Sequence, residues 1–312
     1  MHAVVTGASG FLGSWIVRGL TAAGHEVTAI ARSSRPWRLE GSGVVARDAA
    51  PERWPDLVTS AGGDVLVLAD WAGVTSGSRG DDAQWRNVER HRALLDAAIA
   101  SGARRIVGLG SQAEYARQDR AISESDPLGP DRAYGAAKVA AAEQLGSVAA
   151  AAGVEWAWAR VFSVYGPLDN DGVVLERVAS ALLENRPLTL SSGRQAWSML
   201  FASDAGRAIA SIARPGAGVG AVNVAHPEAH RLRESIELFA SALGGSGVLE
   251  FGAAAGPSLQ ADTTLLMASG WAPEIDHADG LRRAAAWYRG EPVRDPLSGD
   301  VLPGRPTATS SR

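Results

Sequence analysis

The stretch His2-Ala-Val-Val-Thr6-Gly7-Ala-Ser-Gly10-Phe-Leu-Gly13-Ser-Trp-Ile-Val17 decides the fold. A short apolar run breaks into three glycines spaced three apart, and a helical pattern begins at once. The turn after such a strand needs a residue that tolerates positive φ, which Gly7 supplies. Gly10 lets backbone N–H groups approach a pyrophosphate, and Gly13 lets the new helix lie against the strand. The start of that helix carries a partial positive charge and unpaired N–H donors, as a phosphate site requires. A second apolar run, Glu26-Val-Thr-Ala-Ile30, completes the strand–helix–strand context of a dinucleotide turn.

Outward from this turn the alternation continues. Strands are expected near 2–5, 26–30, 43–46, 64–68, 105–109 and 154–160, and helices near 11–23, 84–101 and 133–152. Short apolar runs alternating with helices predict an α/β fold, a doubly wound parallel Rossmann sheet. The second half is less regular. Helices near 173–184, 232–243, 262–268 and 280–289, with short strands near 188–190 and 221–224, suggest a smaller C-terminal α/β substrate lobe. The expected division is a dinucleotide-binding domain over 1–165, to which 196–212 returns, and a lobe over 166–290. Residues 291–312, rich in Pro, Gly, Ser and Thr, are expected to form a flexible tail.

Composition narrows the partners. The 312 residues carry a net charge of −4, with 46% hydrophobic and 21% charged residues, ordinary values for a globular enzyme. No basic face is available to attract a nucleic-acid backbone. Cysteine is absent, so no disulfide or thiolate metal site forms, which fits a reducing, cytoplasmic location. No metal is expected. No window approaches membrane-spanning length, and no signal-like segment precedes the first strand, so no membrane partner is expected.

The second strand ends in Ala31-Arg32-Ser33-Ser34-Arg35. A site for NAD wants a carboxylate here, to accept hydrogen bonds from the ribose hydroxyls. Arg32, Ser33 and Arg35 instead suit a 2′-phosphate, so NADP(H) is the expected cofactor. The other reading of these arginines is a solvated loop face.

Tyr134-Gly-Ala-Ala-Lys138 places a phenol and an amine four apart, on one face of a helix. A tyrosine titrates near ~10, and an adjacent ammonium favours its phenolate. Lys138 can also hold ribose hydroxyls. Ser111 ends the fifth strand, at the edge of the sheet where ligands bind. Its hydroxyl can donate to a carbonyl oxygen.

Thr6-Gly-x-x-Gly-x-x-Gly13 followed by Tyr134-x-x-x-Lys138 resembles the short-chain dehydrogenase/reductase superfamily. Its extended branch, with nucleotide-sugar epimerases, dehydratases and ketoreductases, is matched further by Arg160-Val-Phe-Ser163-Val-Tyr165-Gly166-Pro167 and Gly270-Trp271-Ala-Pro273. The resemblance implies that Tyr134 is the acid/base, that Lys138 tunes it and that Ser111 polarises the substrate oxygen. It implies cofactor contacts from Gly7, Ser9, Gly10, Phe11, Leu12 and Gly13, from Asp48 beside the adenine, and from Leu68, Ala69 and Asp70 at the fourth strand's end. Leu109, Tyr134, Lys138, Val161 and Phe162 complete that set. Substrate contacts are expected from Trp71, Gln112, Ala113, Ser163, Arg177, Arg194 and Trp197, although Trp71 could equally be plain packing. A homodimer through paired alanine-rich helices is also implied.

Departures from the branch suggest the reaction. Its dehydratases carry Asp-Glu directly after the Ser, where this chain has Gln112-Ala113. Trp197-Ser198 stands where relatives have Arg-Asp, and that Arg binds the nucleotide diphosphate. The missing Asp-Glu pair argues against dehydration, and with the Arg32 loop it favours NADPH-dependent reduction of the 4-keto group of a nucleotide-linked 4-keto-6-deoxyhexose. Trp197 points the other way, to a substrate without a diphosphate, unless Arg177 or Arg194 supplies the charge. The alternatives are a nucleotide-sugar 4-epimerase with tightly held NAD(P), a reductase of a smaller ketone, and a non-catalytic NADP sensor.

Overall fold

Runs with no polar alternation become strands covered on both faces. β1 (His2–Thr6) is buried from Ala3 onward and feeds α1 (Phe11–Ala22), then β2 (Glu26–Ala31) and β3 (Arg47–Asp48). α2 (Trp54–Ala61), β4 (Val65–Leu68), α3 (Trp85–Ala100), β5 (Arg105–Ser111), α4 (Ala133–Ala152) and β6 (Glu155–Val161) follow. A computed structural model describes residues 1–32, 36–72 and 82–306 of the chain.

The second half opens with β7 (Val164–Tyr165), α5 (Val174–Leu183), β8 (Leu188–Leu190), β9 (Ala196–Trp197), β10 (Leu200–Phe201) and α6 (Ala202–Ala213). It continues through β11 (Gly220–Val224), β12 (His230–Arg231), α7 (Leu232–Leu243), β13 (Leu249–Phe251), α8 (Thr264–Ala268) and α9 (His277–Tyr288). A hairpin of β14 (Val293–Arg294) and β15 (Val301–Leu302) comes last.

The main sheet runs β11-β6-β5-β4-β1-β2-β3, and each neighbouring pair is parallel. Strand order reverses at β1, which pairs with β2 on one side and β4 on the other. In an open α/β sheet such a reversal leaves a crevice at the carboxyl ends, where ligands bind. The turn after β1 and the segment after β4 meet there.

Three expectations change. The third strand lies at Arg47–Asp48, not 43–46, because turns at Gly41 and Gly43 occupy that stretch and leave Val45 91% exposed. The strand ending at Val224 belongs to the main sheet: β11 pairs with β6 from Gly220↔Ala157 to Val224↔Val161. The expected flexible tail does not hold for residues 291–306. Asp295 is fully buried and receives a 2.9 Å hydrogen bond from Arg18 Nε of α1. Arg305 reaches Asp171 and Glu176, and the Trp287 indole donates to the Pro303 carbonyl.

A second core packs α5, α7 and α9 around Val178, Leu182, Ile236, Phe239, Leu281 and Trp287. α6 lies directly on α1. A Cβ on Gly19 would fall 2.4 Å from the Gly206 carbonyl oxygen, and one on Gly206 would fall 2.2 Å from that of Trp15.

Candidate active site

The turn after β1 has the form its glycines imply. Gly7 takes φ +66°, a left-handed value, and a Cβ there would lie 2.7 Å from Asp70 Cα. A Cβ on Gly13 would lie 2.2 Å from the Gly7 carbonyl oxygen. Gly10 caps α1 without a side-chain hydrogen bond, so the first N–H groups of the helix point outward. The Ser9 hydroxyl donates to the Arg32 carbonyl at 3.1 Å, tying this turn to the end of β2. A cradle that any added Cβ would fill, at an open helix start, fits a dinucleotide pyrophosphate. Phe11 faces the other way, packed with Trp15, Leu168, Ala202 and Leu302, while Leu12 is half-buried. Arg32 and Asp48 are exposed, and Asp48 sits beside Ala31 in register. Ser33 and Arg35 lie outside the described residues.

Ser111 ends β5 and opens a short 3-10 turn, Gln112–Glu114. Its Oγ accepts the Ala113 N–H at 3.2 Å, which leaves its O–H to be given to a substrate oxygen. α4 docks on this turn at closest range: a Cβ on Gly135 would lie 2.2 Å from the Ala113 carbonyl oxygen. Tyr134, half-buried, stands next to that contact. Lys138, one turn on, is 3% exposed and donates to the Leu109 carbonyl at 2.6 Å. Burial pushes its ammonium down to about 7, with Glu114 and Asp70 pulling the other way. The structure thus brings Ser111, Tyr134 and Lys138 together at the carboxyl end of β5.

Glu114 is withdrawn from the site. Its carboxylate accepts the Ser111 N–H at 2.7 Å, the Trp158 indole N–H at 3.0 Å and Arg160 Nε at 2.8 Å, with none of its surface exposed.

Asp70 is buried too. It accepts from the Thr6 hydroxyl at 2.6 Å and from Arg90 Nε at 3.0 Å, and its carbonyl meets His91 Nε2 at 3.0 Å. Trp71 stands nearly perpendicular to the His91 ring and to the Tyr134 ring, and donates to Gln84 Oε1 at 2.6 Å. Asn87 clamps Ala72 through both its N–H and its carbonyl. Sequence reasoning missed Gln84, Arg90 and His91 as neighbours of the site. The spacing Gln84, Asn87, His91 was the available signal, since it places three polar side chains on one helical face.

Leu68, Ala69, Leu109, Val161 and Phe162 line the ends of β4, β5 and β6; of these Leu68, Leu109, Val161 and Phe162 are buried. Gln112, Ala113 and Ser163 are half-buried near Ser111 and β7. The remaining substrate candidates lie on the other elements. Arg177 is exposed on α5, and Arg194 is exposed ahead of β9. The Trp197 indole donates to the Pro257 carbonyl at 3.0 Å, and its strand pairs with β12.

The sequence pattern described as the NAD dependent epimerase/dehydratase family matches residues 3–225. A UDP-glucose 4-epimerase of Streptomyces lividans is 29% identical over 210 residues, covering 64% of this chain and 63% of that enzyme. The chain therefore spans less than two thirds of the length of that relative. Among solved structures, the UDP-glucose 4-epimerase of Thermus thermophilus in complex with NAD superposes with a TM-score of 0.82 at 22% identity, over 93% of this chain and 99% of that one. MoeE5 in complex with UDP-glucose and NAD gives 0.81 at 24%, over the same shares. Both likenesses are of fold.

Proposed function

The chain belongs to the NAD dependent epimerase/dehydratase family, and on that premise we propose that it interconverts a nucleotide-linked hexose and its C4 epimer. The observation that carries this reading is the commitment of Glu114. It is the nearest carboxylate after Ser111, and its bonds to Ser111, Trp158 and Arg160 keep it from acting on a sugar. Among the described residues, the segment after Ser111 offers no free carboxylate pair for elimination of water. Ser111, Tyr134 and Lys138 are what a reversible alcohol–ketone step needs.

The glycine turn and the start of α1 would hold the pyrophosphate, and Lys138 the nicotinamide ribose. The bound nicotinamide supplies a reversible two-electron acceptor for the sugar carbon. Tyr134 takes the C4 hydroxyl proton as that carbon is oxidised, and returns it once the keto sugar has turned over. Ser111 donates to the same oxygen, and Lys138 stabilises the phenolate by its charge. Arg177 and Arg194 are the candidate cations for the diphosphate, in the absence of an arginine at Trp197.

The test is incubation with UDP-glucose or UDP-galactose, read together by proton NMR and by absorbance of the reduced cofactor. Interconversion without net cofactor change is expected. One observation favours a second reading: Arg32 is exposed at the end of β2, where a 2′-phosphate would sit. Stoichiometric NADPH consumption with a 4-keto sugar would replace epimerisation by one-way reduction.

A further inference from the structure

Lys138 is the only lysine in the sequence; every other Lys or Arg position is arginine. A chain so strict in its use of arginine keeps lysine where a compact ammonium that can release its proton is needed. Among the described residues the ammonium has one hydrogen bond, to the Leu109 carbonyl. Among the described residues no ion pair joins it to a carboxylate. What faces it is the Trp71 indole, with Nζ 3.6 Å from the ring centroid; the Trp158 and Tyr134 rings stand farther, at 5.8 and 6.0 Å.

Trp71 is itself preset. Gln84 holds its indole N–H, the His91 ring packs at 5.2 Å, and Asn87 fixes the next residue's backbone. The charged groups farther out compensate one another: Asp70 with Arg90 on α3, and Glu114 with Arg160 on β6. An aromatic face attracts a cation most strongly when both are out of water.

We infer that Trp71 is a positioning residue whose indole face holds the Lys138 ammonium charged and fixed beside Tyr134. This rests on the proposed use of Tyr134 and Lys138. It gives Trp71 a role distinct from the substrate contact expected of it. Trp71 stabilises the cation that in turn favours the Tyr134 phenolate, and it adds no negative charge beside that phenolate.

The single lysine makes the test direct. Protein grown on ¹³C,¹⁵N-lysine shows one labelled side chain, so its pH titration reads Lys138 without substrate or turnover. Trp71→Leu should lower the midpoint by on the order of one pH unit, and Trp71→Phe by less. The basic limb of the kcat profile, where Lys138 loses its charge, should move down by the same amount, with KM little changed. An unchanged Lys138 midpoint in Trp71→Leu overturns the inference. Should that variant not fold, ring-fluorinated tryptophans placed at position 71 keep the shape and weaken the π face. A stepwise fall with fluorination supports the inference, and a flat series overturns it. A titration as expected, with no sugar interconverted, would instead remove the reaction assigned above and leave Trp71 in place.

Discussion

Removing one oxygen separates chemistry from folding at Tyr134. Tyr134→Phe keeps the ring against Trp71 and should lower kcat about 10²- to 10⁴-fold with an unchanged melting temperature. Near-normal turnover in that variant would take the acid/base role from Tyr134. A second residue reads the pH dependence of stability. Asp169 is buried, and that burial pushes its carboxyl from 3.8 up to about 8 against the pull of the Asn170 N–H, Arg38 and Arg305. The unfolded chain releases that proton first, so folding weakens as pH rises from about 4 to 8. Asp169→Asn should therefore match the parent at pH 4 and exceed it by on the order of a few kcal/mol above pH 8, as measured by chemical denaturation. At this scale the glycine turn was legible in the sequence, because Gly7 takes positive φ and a Cβ on Gly7 or Gly13 would meet backbone. So was the pairing of Tyr134 with Lys138, whose four-residue spacing put both on one face of α4. The inward turn of Asp70 was not. Its partners Thr6, Arg90 and His91 come from two other elements, and nothing local to Asp70 announces them.

Elements meet here where side chains vanish. Gly19 in mid-helix costs about 1 kcal/mol against alanine, a cost borne for contact with α6. Gly206→Ala would drive a methyl onto the Trp15 carbonyl, where only a backbone shift gives room. Destabilisation of about 1–3 kcal/mol is expected, read as a fall in denaturation midpoint, with the active-site lysine titration unchanged. A neutral midpoint would mean that α1 and α6 slide freely. Periodicity showed α1 as a helix, but not that its glycine face would receive α6 from the second half of the chain. β3 escaped for a related reason. Apolar Val44 and Val45 read as a strand, yet positive-φ glycines on either side of Ser42 turn the chain there, and pairing with β2 waits until Arg47.

The whole molecule is closed by its last described residues. Arg18 donates to Asp295, to the Arg38 carbonyl at 2.9 Å and to the Glu40 carbonyl, so one guanidinium joins the C-terminal hairpin to the segment after β2. Asp295→Ala leaves that cation buried without its partner and should cost about 3–5 kcal/mol in denaturation. A loss below about 1 kcal/mol would mean that the hairpin is an ornament on a fold complete without it. Composition alone suggested looseness here, because the polar, Pro- and Gly-rich stretch hides one buried carboxylate whose partner lies 277 positions earlier. We also expect two copies to associate through α3 and α4, whose alanines permit close helix approach about a two-fold axis. Light scattering should give twice the chain mass, and a monomer at working concentration would remove the claim. The sealed position of Lys138 bears on how that experiment is done. Reagents that join proteins through lysine side chains will find none on the folded surface, so a cross-linker that bridges lysines would score a true dimer as two single chains. Tethering to a sensor chip through lysine would likewise capture unfolded molecules in preference to native ones, and carboxylate-directed coupling is the chemistry this surface accepts.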